Sequence, residues 1–417
     1  MDGTGLRRKV GKVTGSYLGV SLLGGCTVMD FRETEEQAMF RQTARKFAQN
    51  EIKPASLDFD KKPDPKDCFP WDLLRKASKL GFRTMSVPSE YGGAGVKDLI
   101  SHIIVMEELS AGDHGFASCI RSAVALSSWM DMICNQQQKD EFFPKIVADD
   151  TFVIGLAQTE PNSGTDNILM ADVPGAAMQT FAERRGEEYV INGRKHFISN
   201  GGIAQLYLLH TRTDKKLALN QCRSIFLVQP DTPGFSVGKF HNKLGRRLLM
   251  TAELFFDDMR VPARYLVGKE GEAARAERQA PFISFLLCAC TVGTLRACYE
   301  ACVEHARMRV QGGKPIIRHQ LIAAELSEMR VRIEAARQLL YRQAWCWQNK
   351  HEYDPKLTIL LRTFIDQVGG HIVFQMNDIF GGTGSDKDMY IEKYIRDLFT
   401  AFHGPSIGQG LITGAPD

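Results

Sequence analysis

The hydrophobic period of this chain changes twice, and those changes limit its fold more than any other feature. From Phe31 to Asp150 apolar residues recur at every third or fourth position. From Thr151 to about Tyr265 they alternate, as in half-buried strands. From Glu270 onward the helical period returns. In that last part Ile322, Leu326, Met329, Ile333, Ala336, Leu340, Ala344 and Trp347 mark a single long amphipathic helix. Such a chain is expected to be α+β: an N-terminal helical domain, a central antiparallel β-sandwich or barrel, and a C-terminal four-helix-bundle-like domain. The divisions are a tail over 1–30 and domains over 31–150, 151–265 and 266–417.

Within the central part, Tyr189-Val190-Ile191 and Lys195-His196-Phe197-Ile198 flank Asn192-Gly193. That pattern predicts a β-hairpin with its turn at Asn-Gly. Further strands are expected over 206–211, 224–228, 235–240 and 252–256, with turns at Asp231-Thr232-Pro233-Gly234 and Arg260-Val261-Pro262.

Charge and composition exclude several classes. With 52 basic and 49 acidic residues the net charge is +3, too balanced for a nucleic-acid surface. No apolar run approaches the roughly 20 residues that span a bilayer, so no membrane span is expected. The ten cysteines are scattered and include no CxxC pair, which reads as free core thiols in a reducing compartment. Residues 1–28 carry Arg7, Arg8, Lys9 and Lys12 before a short, glycine-broken apolar stretch. They make a poor secretory signal and read as a tail in preference to an organellar presequence. The protein is therefore expected in the cytoplasm, with the mitochondrial matrix as the alternative.

No glycine-rich dinucleotide fingerprint, P-loop or GxSxG is present. Four other stretches carry polar chemistry: Ala157 to Asp166 (AQTEPNSGTD), Phe197-Ile198-Ser199-Asn200-Gly201-Gly202, Arg309 to Ile316 followed by His319-Gln320, and Ile379-Phe380-Gly381-Gly382-Thr383-Gly384. Each alone is an ordinary loop or helix end. An apolar strand that empties into AQTEPNSGTD can present backbone N–H groups and hydroxyls to a ligand.

In this order on an α-β-α chain, these stretches resemble the acyl-CoA dehydrogenase flavoprotein family from about Phe31 to Gly414. Glu90-Tyr91-Gly92-Gly93-Ala94-Gly95, Met106-Glu107-Glu108-Leu109 and Asp257-Asp258-Met259-Arg260-Val261-Pro262 support the likeness. The resemblance implies an FAD-dependent oxidoreductase of lipid or organic acid metabolism that oxidises an acyl-CoA to its 2,3-enoyl product. It implies a homotetramer, with a hetero-oligomer as the variant, and an electron-transfer flavoprotein as acceptor. It places Ala157, Gln158, Thr159, Phe197 and Ser199 at the flavin. Arg309, Gln311, Gly312 and Gln320, from a neighbouring subunit, together with Asp378, Gly381 and Gly382, would hold the rest of FAD. Thr165 and Gly404 would meet the substrate. No metal is implied, and His196, His319 and His371 read as ordinary strand or helix residues.

The chain also departs from the family. The usual catalytic glutamate lies in a Tyr-Glu-Gly-Thr context near the C-terminus. Here Phe402 and His403 stand in its place, and the segment after Arg396-Asp397 is about two residues short. Ile283 stands at the alternative base position, Ser284 where an arginine is common, and Asp378 where glutamine is common. His403 is the candidate catalytic base, since a neutral imidazole can accept a proton at neutral pH. Glu160 and Asp166 read as turn-shaping carboxylates, and Arg246-Arg247 as a surface pair or a contact to CoA phosphate. Altered flavin chemistry (reduction, oxidation with oxygen, elimination) and a non-catalytic subunit role remain as alternatives.

Overall fold

A computed structural model describes residues 32–169 and 171–402. The tail, His403 and Gly404 lie outside the described residues. Helix α1 (Glu35–Phe47) starts at a capping box: the Thr34 hydroxyl accepts from the Gln37 N–H while the Gln37 side chain accepts from the Thr34 N–H. It is followed by α2 (Lys53–Asp60), α3 (Trp71–Lys79), α4 (Leu99–Gly112), α5 (His114–Ile133) and α6 (Gln136–Ala148). Helices α4 and α5 are buried on nearly all sides, which is why their sequences lack a clean polar stripe.

The central region carries β1 (Ile154–Ala157), the short α7 (Asp166–Leu169), β2 (Phe181–Arg185), β3 (Glu188–Ser199), β4 (Leu206–Arg212), α8 (Leu219–Cys222), β5 (Arg223–Val228), β6 (Phe235–Phe240), β7 (Thr251–Pro262) and β8 (Leu266–Val267). They form one eight-stranded sheet in the order β6-β7-β3-β2-β4-β5-β8, with β1 beside β4. The sheet is not wholly antiparallel, because β1 and β2 both run parallel to β4.

The expected hairpin at Asn192-Gly193 does not form. Both residues lie inside the twelve-residue strand β3, at a register shift against β7. The turn falls earlier, at Gly186 between β2 and β3, where φ is +65°. Asn192 instead ties β3 to β7, donating to the Asp258 carboxylate at 3.0 Å and accepting from the Asp258 N–H at 2.8 Å. A Cβ at Gly193 would lie 2.7 Å from the Thr180 Cα, so the glycine serves close strand approach and not a turn.

The C-terminal region begins with α9 (Ala273–Arg278) and α10 (Phe282–Met308). A two-stranded ribbon, β9 (Val310–Gln311) and β10 (Lys314–Pro315), leads to α11 (Gln320–Gln348), α12 (Pro355–Phe380) and α13 (Tyr390–Phe402). Helix α10 packs on α4, α5, α11 and α12 at once. Two segments, Phe282–Met308 and Pro355–Ser385, are in fact long and apolar enough to cross a membrane by length and composition, contrary to the sequence expectation. Their most apolar windows are 72% and 56% buried inside the protein, so packing in the bundle accounts for their composition.

Candidate active site

Strand β1 ends at Ala157 and releases the chain into the AQTEPNSGTD loop. The loop is fixed from behind by β3. The His196 N–H donates to the Thr159 carbonyl at 2.8 Å, and the Lys195 ammonium donates to the Gln158 carbonyl at 3.1 Å. Glu160 turns inward, accepting from the Gln179 N–H at 2.7 Å, the Thr180 N–H at 2.9 Å and Lys195 at 2.8 Å. Burial would raise its carboxyl, but Lys195 and these donors hold it below the usual range. Burial in turn pulls Lys195 down to about 8 against the pull of Glu160. Asp166 accepts from the Gly164 N–H at 2.6 Å. Both carboxylates therefore shape the turn.

In front of this loop lies a cavity of about 710 Å³. Gln158, Thr159 and Thr165 from one stretch and Phe197 and Ser199 from another all line it. Ala157 is fully buried just behind, and its side chain does not reach the cavity. The opposite wall is built by Lys243, Leu244, Arg246 and Leu249 and by Phe399 and Thr400 of α13.

Phe197 is the most unusual residue here. It sits at a β-bulge with φ +55°, a region L-residues rarely occupy. Its ring is 56% exposed and stacks on His241 at 4.3 Å and 27°. Strain of this kind, presenting an apolar ring at a cavity mouth beside hydroxyls and an amide, fits a flat aromatic ligand with polar edges. Beneath it, the ligand-capable atoms of His196, His241 and Glu253 lie within 4.8 Å of one another, a grouping hidden by their sequence separation.

The remaining predicted cofactor residues do not join this cavity. Arg309, Gln311, Gly312, Gln320, Asp378, Gly381 and Gly382 are exposed around the β9–β10 ribbon, the start of α11 and the end of α12. Gly312 and Gly313 have φ of +58° and +78°, opening a turn whose backbone N–H groups, next to Arg309, suit a diphosphate. Around them Met308, Val310, Leu321 and Phe374 are also exposed.

Sequence reasoning missed the composition of the cavity's opposite wall. Arg246 and Arg247 do not act as a pair. Arg247 turns outward to the Lys62 carbonyl and Asn242. Arg246, at φ +52°, turns inward and donates to the Ser118 hydroxyl of α5 at 2.8 Å. Burial, then Arg121 and Arg362, push Arg246 down to about 10. Burial and Arg246 push Lys243 down to about 7. Among the described residues no carboxylate lines the cavity.

A helical–β–helical chain with an aromatic-faced, hydroxyl-edged cavity at the seam and an exposed arginine–glycine turn defines a flavin-dependent dehydrogenase scaffold. Comparison with known proteins identifies which one. The acyl-CoA dehydrogenase N-terminal, middle and C-terminal domain models match residues 34–150, 155–259 and 282–406. The chain belongs to the acyl-CoA dehydrogenase family, whose members are FAD-dependent oxidoreductases. It is 34% identical to an acyl-CoA dehydrogenase of Bacillus subtilis (strain 168) over 87% of this chain and 92% of that one. It is 32% identical to a short-chain-specific acyl-CoA dehydrogenase of Clostridium acetobutylicum, over 92% of this chain and 98% of the other. The solved butyryl-CoA dehydrogenase of Megasphaera elsdenii superposes with a TM-score of 0.84 at 29% identity, covering 92% and 98% of the two chains.

Proposed function

We propose that this chain oxidises a short acyl-CoA between its α and β carbons, with His403 accepting the α proton. The observation that carries this reading is Phe197, held exposed in a left-handed conformation at the mouth of a cavity edged by Gln158, Thr159 and Ser199. FAD, when bound, supplies the hydride acceptor. Phe197 would orient the ring, Thr159 and Ser199 would hydrogen-bond its edge, and Thr165 would hold the thioester arm. The apolar flank of Leu244, Leu249 and Phe399 excludes water from the proton transfer. A short acyl group is supported by the short-chain-specific and butyryl-CoA relatives.

The finer assignments form part of the same proposal. Arg309, Gln311, Gly312 and Gln320, with Asp378, Gly381 and Gly382, hold the FAD of a neighbouring subunit in a homotetramer. Exposed Met308, Val310, Leu321 and Phe374 around them support burial by a second chain. Gly404 contacts substrate, an electron-transfer flavoprotein takes the electrons, and the protein works in the cytoplasm or, alternatively, the mitochondrial matrix. The domains run over 31–150, 151–265 and 266–417.

Anaerobic titration of the purified protein with butyryl-CoA tests the reaction by bleaching of its flavin band. No bleaching by any acyl-CoA would overturn it. His403→Ala is expected to abolish turnover with FAD still bound, and full activity would place the base elsewhere. Arg309→Ala is expected to lower FAD occupancy. A second reading, altered chemistry or a partner chain that carries the base, is favoured by the lack of a carboxylate lining the cavity among the described residues and by Ile283 on α10. Oxygen consumption without bleaching, or activity only on co-expression, would select it.

A further inference from the structure

Behind the wall formed by the 241–250 loop and α13, the described residues gather more cations than carboxylates. Arg246 reaches from the wall to Ser118, and Arg121 lies one turn further along α5, donating to Ser122 at 3.1 Å. Arg362 of α12 donates to Asp366 at 3.0 Å and to the Ala401 carbonyl at 2.7 Å. Lys393 of α13 sits between Asp113 and Asp397, at 2.5 and 2.6 Å. Asp397 also accepts the Arg246 backbone N–H, and Asp113 also takes the Ser56 hydroxyl at 2.6 Å.

Those carboxylates are thus engaged with Lys393 and Arg362. Neither Arg121 nor the Arg246 side chain meets a carboxylate among the described residues. Among the described residues one N–H on each of the three guanidiniums is buried without a partner: Nε of Arg121, Nε of Arg246 and Nη1 of Arg362. Their mutual field registers on His114, which burial and then Arg246, Arg362, Lys393 and Arg121 hold well below its ordinary value. Buried, uncompensated charge of one sign is costly, and it persists where a ligand completes it.

We propose that this wall is a carboxylate subsite, so that the acyl group of the substrate ends in a second carboxylate, received by Arg246 with Arg121 and Arg362 behind it. The proposal rests on the acyl-CoA dehydrogenase reading for the thioester end and specifies the other end. The only other anions this cavity would meet are phosphates of the CoA moiety or cofactor. The cluster's place among α5, α12 and α13, behind that wall, suits the buried end of an acyl chain better than a solvent-facing phosphate.

Calorimetric titration of the holoenzyme with glutaryl-CoA, pentanoyl-CoA and free CoA tests it, with the flavin spectrum recorded in parallel. Wild type is expected to bind glutaryl-CoA at least about tenfold tighter than pentanoyl-CoA, in line with one charge-assisted contact. Arg246→Gln should bring that ratio to about one, and Arg246→Lys should keep it above about threefold. Arg121→Gln, should Arg246→Gln not fold, is expected to cut the ratio at least about threefold. A wild-type ratio near one overturns the subsite. So does an equal loss for both thioesters and CoA in Arg246→Gln, which would assign Arg246 to phosphate. A glutaryl preference without bleaching would sink the dehydrogenation reading and leave the subsite standing. Bleaching without a preference would do the reverse.

Discussion

Two arginine clusters in this protein use the same side chain in opposite ways. In the first, Glu107 and Glu108 of α4 are met by Arg41 and Arg45 of α1, Arg296 of α10 and Arg337 of α11. Glu108 accepts from Arg41 at 2.6 Å, Arg45 at 2.9 Å and Arg296 at 2.7 Å. Glu107 accepts from Arg337 at 3.0 Å and from the Tyr341 hydroxyl at 2.9 Å. Carboxylates sit at the centre and guanidiniums around them, tying four helices together. In the second, Arg121, Arg246 and Arg362 gather with unpartnered N–H groups and, among the described residues, fewer carboxylates than cations. In the first cluster two carboxylates are each met by surrounding donors, although Nε of Arg296 is left without a hydrogen bond among the described residues and the cluster lines a second cavity of about 390 Å³. In the second, Arg246 faces the cavity beside Phe197. On the reading proposed above, charge balance separates a structural arginine from one that receives a ligand.

The comparison can be broken most decisively at Glu108. Glu108→Gln leaves Arg41, Arg45 and Arg296 facing a neutral amide, and a loss of about 3–5 kcal/mol is expected in denaturant unfolding. A loss below about 1 kcal/mol would mean the first cluster is no more a scaffold than the second. Acid titration sharpens the same point. Burial would raise Glu108, but Arg296 and Arg45 bring it down from 4.5 to about 2. Between those values the unfolded chain binds more protons, so this stabilisation is complete above pH 4.5 and is lost as pH falls toward 2. Thermal melts should show that acid limb in wild type and a flatter one in Glu108→Gln. The smallest effect is expected at Arg121→Met. Removing a cation that lacks a carboxylate should be neutral or raise stability by up to about 2 kcal/mol. A large loss would show that Arg121 has a structural partner.

Sequence alone placed the cavity's β wall. Gln158, Thr159, Thr165, Phe197 and Ser199 lie in two short polar stretches whose pattern is local, and both stretches reach the cavity. It misplaced the hairpin, because Asn192-Gly193 has turn chemistry but is overruled by pairing of the whole strand with β7 through Asp258. The true turn at Gly186 lacks an Asn-Gly or Asp-Gly signature. The cationic wall was invisible, because residues 121, 246 and 362 come together only through tertiary packing. Arg246 and Arg247 part company owing to the left-handed backbone at Arg246, which no neighbour-by-neighbour pattern announces.

Gly245 gives the cavity wall a dependency that is mechanical as well as chemical. A methyl group there would overlap the Arg396 carbonyl of α13, while Arg396 donates to the Leu244 carbonyl at 2.9 Å. The 241–250 loop and the last helix therefore behave as one interlocked part. A premature stop anywhere before Tyr390 would remove more than a candidate proton acceptor: it would unlatch the loop that carries Lys243 and Arg246, and with it whatever selectivity those two residues impose.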